Sequence, residues 1–295
     1  MKMNKSIYIG AMSGTSHDAI DVSFISVDKN ITLEFFYSYK LPKLLRLKIA
    51  NQISSNNSSL SDLGKLNKDL GLAFFRAIDI GITKSKITKS KIKCIAISGQ
   101  TVRHEIQGKT SFSMQLGDPN IVAARTSIPV AYDFRNMHIA LGGQGAPLVP
   151  EFHEKIFFKK NKPRIILNIG GIANYTYLGK KSQPWGSDTG PGNALMDAYC
   201  SLKLGTNFDK NGASASKGTV INKELKKLLS NKFFMLPAPK STGKELFNFK
   251  LLSEELLKHA YEDILATLSE FTAKSISDSI SKNKHLHSQI IVCGG

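Results

Sequence analysis

The sequence predicts an α/β protein of two related domains, residues 1–140 and 141–295, facing a cleft. Three observations predict it. Each half opens with a strand, a glycine turn and a return strand, and adds helices and further strands later. The 295 residues are 41% hydrophobic, enough for two ordinary cores. No Gly-x-Gly-x-x-Gly leads from a first strand directly into a helix, which sets aside a single dinucleotide-binding βαβ unit.

In the first half, Ser6–Ala11 reads as a strand ending in a Gly/Ser/Thr loop. Val22–Val27 and Ile31–Tyr39 read as two more strands, joined at Asp28-Lys29-Asn30. Helical patterns follow over Leu44–Ile53 and Leu60–Ile80, then strands over Lys91–Ile97 and Ile128–Phe134. The Gly/Pro-rich run Gly142–Pro147 predicts a loop near the domain junction. The second half restarts with strands Arg164–Ile169 and Asn174–Leu178 around Gly170-Gly171. A turn at Gly186–Asn193 leads into a helical run over Ala194–Leu204. Pro237–Phe247 reads as a loop. Glu254–Ile280 reads as one long amphipathic helix with Ser253 as its N-cap, and Gln289–Cys293 as a last strand.

Composition narrows the function. No run approaches the ~20 apolar residues of a membrane span. The basic Met1–Lys5 start passes at once into a strand and loop, unlike a signal peptide. Cys94, Cys200 and Cys293 match no metal or redox spacing, and a reducing cytoplasm is the expected location. The formal net charge of +17 raises the question of nucleic acid. The lysines are scattered without interleaved aromatics, however, so compositional bias explains the charge better than a nucleic-acid partner.

Several turns carry the chemistry. Asp188 stands in Gly186–Asn193, ahead of a helix start whose amides favour anions; it reads as a general base, or alternatively as a capping Asp in a tight turn. The loop Gly14, Thr15, Ser16, His17, Asp18, Ala19, Ile20 and Asp21 suits phosphates, with Asp18 or Asp21 able to hold magnesium directly or through water. A plain hairpin loop is the alternative. Asn168-Ile169-Gly170-Gly171-Ile172-Ala173-Asn174 forms a second turn that either presents amides to phosphate or is an ordinary hairpin. Gln100, Thr101, Arg103 and Arg135 follow strand ends, where guanidinium groups meet a carboxylate or phosphate, or else make surface ion pairs. His104 reads as structural.

Taken in order, these segments resemble one family. They include Met12-Ser13-Gly14-Thr15-Ser16, Gly99-Gln100-Thr101-Val102-Arg103-His104 and Gln115-Leu116-Gly117-Asp118-Pro119. They continue with Gly142–Pro150, Leu167–Asn174, Asp188-Thr189-Gly190-Pro191-Gly192-Asn193 and Pro239-Lys240-Ser241-Thr242-Gly243. The chain resembles the anhydro-N-acetylmuramic acid kinases along essentially its whole length. That resemblance implies two RNase H-like lobes of the actin/hexokinase type. It implies an ATP- and magnesium-dependent enzyme of peptidoglycan recycling that opens the 1,6-anhydro sugar with water and phosphorylates O6. It makes Asp188 the base, and matches Gly14–Asp21 to the ATP-binding segment and Asn168, Gly170, Gly171 and Asn174 to a second phosphate turn. Gln100, Thr101, Arg103, Arg135, Gly190 and Gly192 fall to the sugar side. The expected partners are the sugar and ATP, with no nucleic acid or membrane; a homodimer is left open.

The chain departs from the family pattern at His17-Asp18-Ala19, usually Leu-Asp-Gly, at Ser98, usually His, and at His138, usually Asp. In the family Val-Cys-Gly-Gly begins the adenosine-binding turn, whereas this sequence ends at Gly295. The expectation from that ending is a second lobe incomplete at its C-terminus. The alternative function is then a sugar-binding remnant without the adenosine site.

Overall fold

The computed structural model describes residues 6–14, 17–55, 57–106, 108–179, 183–243, 246–283 and 288–294. It is a mixed α/β protein whose chain divides into two compact units, Met1–Ala146 and Pro147–Gly295.

The first unit is built on strands β1 (Ser6–Ser13), β2 (Ala19–Val27) and β3 (Ile31–Lys40), an antiparallel meander. Alternation dictates these strands. Ile7, Ile9 and Ala11 on β1, and Ile20, Val22 and Phe24 on β2, all turn to one buried face. The β2–β3 hairpin closes where the sequence predicts, with Asn30 N–H donating to Asp28 Oδ1 at 2.8 Å. Helices α1 (Lys43–Ser54) and α2 (Leu60–Ser85) follow. Ser59 caps α2 by accepting the Asp62 N–H at 3.0 Å, and Leu66, Leu70, Phe74 and Ile78 form its buried stripe.

Strand β4 (Ile92–Ile97) then adds parallel to β1. A separate hairpin pairs β5 (Gln100–Glu105) with β6 (Phe112–Leu116). Next come α3 (Pro119–Thr126), β7 (Val130–Ala131) and α4 (Phe134–Ala140). The sheet order is β3-β2-β1-β4-β7. The strand expected over Ile128–Phe134 shrinks to two residues, because Asp133 adopts a left-handed conformation (φ 61°) and α4 begins at the next residue. The β5–β6 hairpin escapes prediction because its residues are mostly polar. The Gln-Leu-Gly-Asp-Pro run is explained locally: Asp118 caps α3 by accepting the Asn120 N–H at 2.9 Å, and Pro119 takes the first helical position.

The second unit opens with α5 (Pro150–Phe157) and repeats the meander with β8 (Arg164–Ile169), β9 (Ile172–Leu178) and β10 (Trp185–Pro191). After α6 (Ala194–Tyr199), α7 (Asn222–Leu229) and α8 (Tyr261–Lys282), strand β11 (Gln289–Gly294) joins β8 in parallel. The order β10-β9-β8-β11 repeats β3-β2-β1-β4. An aromatic cluster of Phe233, Phe234, Phe247 and Phe271 packs the helical side.

Two expectations change here. The single helix over Glu254–Ile280 is broken. Ser253 Oγ accepts the Leu256 N–H at 3.1 Å and caps only a short 3₁₀ turn, Leu256–Lys258, while α8 starts at Tyr261. The second change concerns the octet around Asp188. It is mostly strand, because residues 185–188 pair with β9 and the register slips only between Asp188 and Gly190. Gly190 takes φ 141° there, a bulge residue that the glycine content disguised as a turn.

Candidate active site

Asp188 sits on β10 beside the Pro239–Gly243 segment, within the second unit. Its Oδ2 accepts the Thr242 N–H at 2.8 Å and the Ser241 hydroxyl at 3.3 Å. Its own N–H donates to the Lys240 carbonyl at 2.9 Å, and the neighbouring Ser187 Oγ accepts the Lys240 N–H at 3.1 Å. A carboxylate held by such donors is oriented, as a general base must be. The sequence alone assigns no role to Ser187, Lys240, Ser241 or Thr242. The Pro-Lys-Ser-Thr-Gly run was the available signal, but nothing local said that it folds back about 50 residues onto Asp188.

The Gly170-Gly171 turn joins β8 to β9, with Asn168 opposite Asn174. Its carbonyls face the start of α6. Gly171 O accepts the N–H groups of Gly192 at 2.9 Å and Ala194 at 3.1 Å, and Gly170 O accepts that of Asn193 at 2.8 Å. These amides of the helix start are therefore paired within the fold, which corrects the expectation of an unpaired anion-binding helix end after Asp188. The close approach also explains Gly192, where a Cβ would overlap the Gly170 carbonyl oxygen. At Gly170 the fold makes no such demand: a Cβ there would meet nothing nearer than 3.7 Å.

In the first unit, β1 and β2 meet in the hairpin that contains Gly14–Asp21. Thr15 and Ser16 lie outside the described residues. His17 takes φ 43° and its N–H donates to Gly14 O at 3.1 Å, while Asp18 O accepts the Leu41 N–H at 2.8 Å. Ala19, Ile20 and Asp21 belong to β2 rather than to the loop. Ile20 is wholly buried in the core, so its side chain offers nothing to a ligand. Asp21 is exposed and lines a hollow of about 270 Å³ with Gly10, Phe36 and Phe134. Among the described residues no three His, Cys, Asp or Glu side chains gather as a metal site.

Gln100 is buried at the start of β5, where its Oε1 accepts the Ser13 hydroxyl at 2.6 Å and ties this strand to the end of β1. Thr101 Oγ1 accepts the Gln115 amide at 3.3 Å. Arg103 departs from its expected place on the sugar. Its guanidinium donates to the carbonyls of Gln52 at 3.2 Å, Ile53 at 2.9 Å and Ser55, clamping the open end of α1. Arg135 Nη1 donates to Gly145 O at 2.8 Å, while its buried Nε has no partner among the described residues. His104 Nδ1 lies 3.0 Å from Ser113 Oγ; burial first, and then the Arg135 charge, push its pKa down. His138 accepts the Gly145 N–H at 3.2 Å, a fold contact for a residue that departs from the family pattern. Ser98, Gly99, Ser113, Gln115, Tyr132 and Asn136 line a cavity of about 530 Å³ next to these groups. Gln115 Oε1 is buried there without a partner among the described residues.

Comparisons with known proteins agree along the chain. The family model described as anhydro-N-acetylmuramic acid kinase matches residues 6–295. A protein of that name from Gamma-proteobacterium EBAC31A08 is 60% identical over 293 residues, covering 99% of this chain and 80% of the relative. Those of Shewanella pealeana and Pasteurella multocida are 43% and 41% identical, again across 80% of the relative's length. No described helix is long and apolar enough to cross a membrane.

Proposed function

Because the chain belongs to the anhydro-N-acetylmuramic acid kinase family, and is therefore a phosphotransferase, we propose the following reaction for it. The chain hydrolyses the 1,6-anhydro bond of anhydro-N-acetylmuramic acid and transfers the γ-phosphoryl group of ATP to O6, giving N-acetylmuramic acid 6-phosphate and ADP. This places it in peptidoglycan recycling. The single observation that carries the mechanism is the Asp188 carboxylate, held by the Thr242 N–H and the Ser241 hydroxyl.

The chemistry follows from the substrate. O6 is bonded to C1, so no free hydroxyl attacks ATP. Asp188 takes a proton from water as the water oxygen bonds to C1. The C1–O6 bond breaks, O6 bonds to the γ-phosphorus, and the bond from that phosphorus to the ADP oxygen breaks. A positioned general base contributes on the order of 10²–10⁴-fold; alignment and charge neutralisation supply the rest.

The repeated 3-2-1-4 strand order supports two RNase H-like lobes of the actin/hexokinase type. Phosphates are assigned to the Gly14–Asp18 segment and to the Gly170-Gly171 turn, where the absence of any steric demand at Gly170 leaves room for close approach. With no three-ligand cluster among the described residues, Asp18 or Asp21 would hold magnesium through water, which suits an ion that keeps several waters. Bound there, the ion would neutralise phosphate charge. Thr101 and Arg135 are assigned to the sugar, with Arg135 facing the lactyl carboxylate; Gln100, buried and bonded to Ser13, holds the start of β5 that carries Thr101.

Incubation with ATP and the anhydro sugar tests the proposal. ADP and the 6-phosphate should form together, and neither without the sugar. Sugar-independent ADP release, or binding of the sugar without any ADP, would overturn it.

A further inference from the structure

The Pro239–Gly243 segment bonds Asp188 through Lys240, Ser241 and Thr242, and one of its own side chains ties it to the core. Lys240 is half-buried. Its Nζ donates to the Phe233 carbonyl at 2.8 Å and lies 4.3 Å from the centroid of the Phe233 ring. Phe233 is buried in the aromatic cluster with Phe247 and Phe234, so the ammonium is anchored to a rigid part of the core. Lys282, from the last turn of α8, donates to the next carbonyl, Phe234 O, at 3.2 Å. The main chain of Lys240 is meanwhile bonded on both sides to Ser187 and Asp188. One residue thus links the core, through its side chain, to the strand of the base, through its backbone.

We propose that Lys240 is a positioning residue for Asp188: its ammonium, seated on the Phe233 carbonyl and ring, fixes the segment whose Ser241 hydroxyl and Thr242 N–H orient the carboxylate. The proposal rests on reading Asp188 as the base. Burial, and then the charge of Lys282, lower the Lys240 pKa. Ser241 and Thr242 follow directly after Lys240, so any swing of Lys240 moves both donors. A displacement of about 1 Å at a reacting group can cost on the order of 10²-fold in rate.

The test compares K240M, K240R and S241A with the unaltered full chain, measuring kcat, sugar KM and the urea unfolding midpoint. K240M keeps the apolar stem over the ring and should lose about 10–10²-fold in kcat with sugar KM within about twofold. K240R keeps the cation and should recover most of that loss. S241A removes one donor to Oδ2 and should lower kcat about 3–10-fold with sugar KM within about twofold. A merely structural Lys240 would lower activity only in proportion to the folded fraction and leave kcat per folded molecule unchanged. Unchanged kcat in K240M, or unchanged kcat in S241A, overturns the proposal. Full turnover by D188N would instead reject the reading of the base, so the two failures are told apart.

Discussion

Replacing Gly192 by alanine should loosen the junction between the Gly170-Gly171 turn and the start of α6. The added Cβ would overlap the Gly170 carbonyl oxygen and come within 3.2 Å of the Gly170 carbonyl carbon and 3.4 Å of the Ala173 nitrogen. All three are backbone atoms, so no side-chain rotation relieves the clash; the two segments have to separate. Separation strains the Gly192, Asn193 and Ala194 N–H bonds to the turn at 2.8–3.1 Å, and the bond from Thr272 Oγ1 to Gly192 O at 2.8 Å. Each is worth about 0.5–1.5 kcal/mol net. Losing two or three costs about 2–4 kcal/mol, offset by about 0.4–1 kcal/mol from a stiffer unfolded chain. The sole tryptophan, Trp185, lies on β10 and packs edge-on against Tyr175 at 5.6 Å, so its fluorescence reports on this unit. In urea the G192A midpoint should fall by about 1 M. G64A serves as the control, because a Cβ at that helical position meets nothing within 4 Å. An unchanged midpoint in G192A would refute the packing explanation for this glycine.

Other perturbations separate structural from chemical roles. R103M strips the guanidinium from the carbonyls at the end of α1; stability should drop by about 1–2 kcal/mol, with faster amide exchange in the last turn of that helix. A higher sugar KM at unchanged stability would return Arg103 to the sugar. Glu224 is 2% exposed and is held below its ordinary pKa of 4.5 by hydrogen bonds from Lys227 at 2.5 Å and then Ser253 at 2.7 Å. Because the folded value lies below the unfolded one, the contribution is full above the unfolded pKa and is lost as pH falls through the folded one. E224Q should therefore flatten the fall of the urea midpoint below pH 4.5; a fall as steep as in the unaltered chain would exclude this role.

Much of the fold was legible because its strands alternate. The apolar positions of Ile7–Ala11 and Ile20–Phe24 fix one buried face, and the stripe from Leu66 to Ile78 fixes a helix. Composition misled where glycine and proline serve a bulged strand: Gly190 and Pro191 read as a turn, but pairing with β9 keeps them in the sheet. Ser253 read as the cap of a long helix, yet it caps a 3₁₀ turn, and α8 starts only at Tyr261. At the site, the chemistry-bearing residue types were visible but their partners were not. Arg103 finds its carbonyls about 50 residues upstream, and Asp188 finds its donors about 50 downstream. Contacts at such separations leave no local periodicity to read.

The most direct test of the central claim is turnover by D188N, measured as sugar-dependent ADP release alongside the dissociation constant for the sugar. Asparagine keeps the shape and accepts the same Thr242 N–H but takes no proton from water. A loss of about 10²–10⁴-fold in kcat with sugar binding largely retained is expected. Turnover within about twofold of the unaltered chain would contradict it.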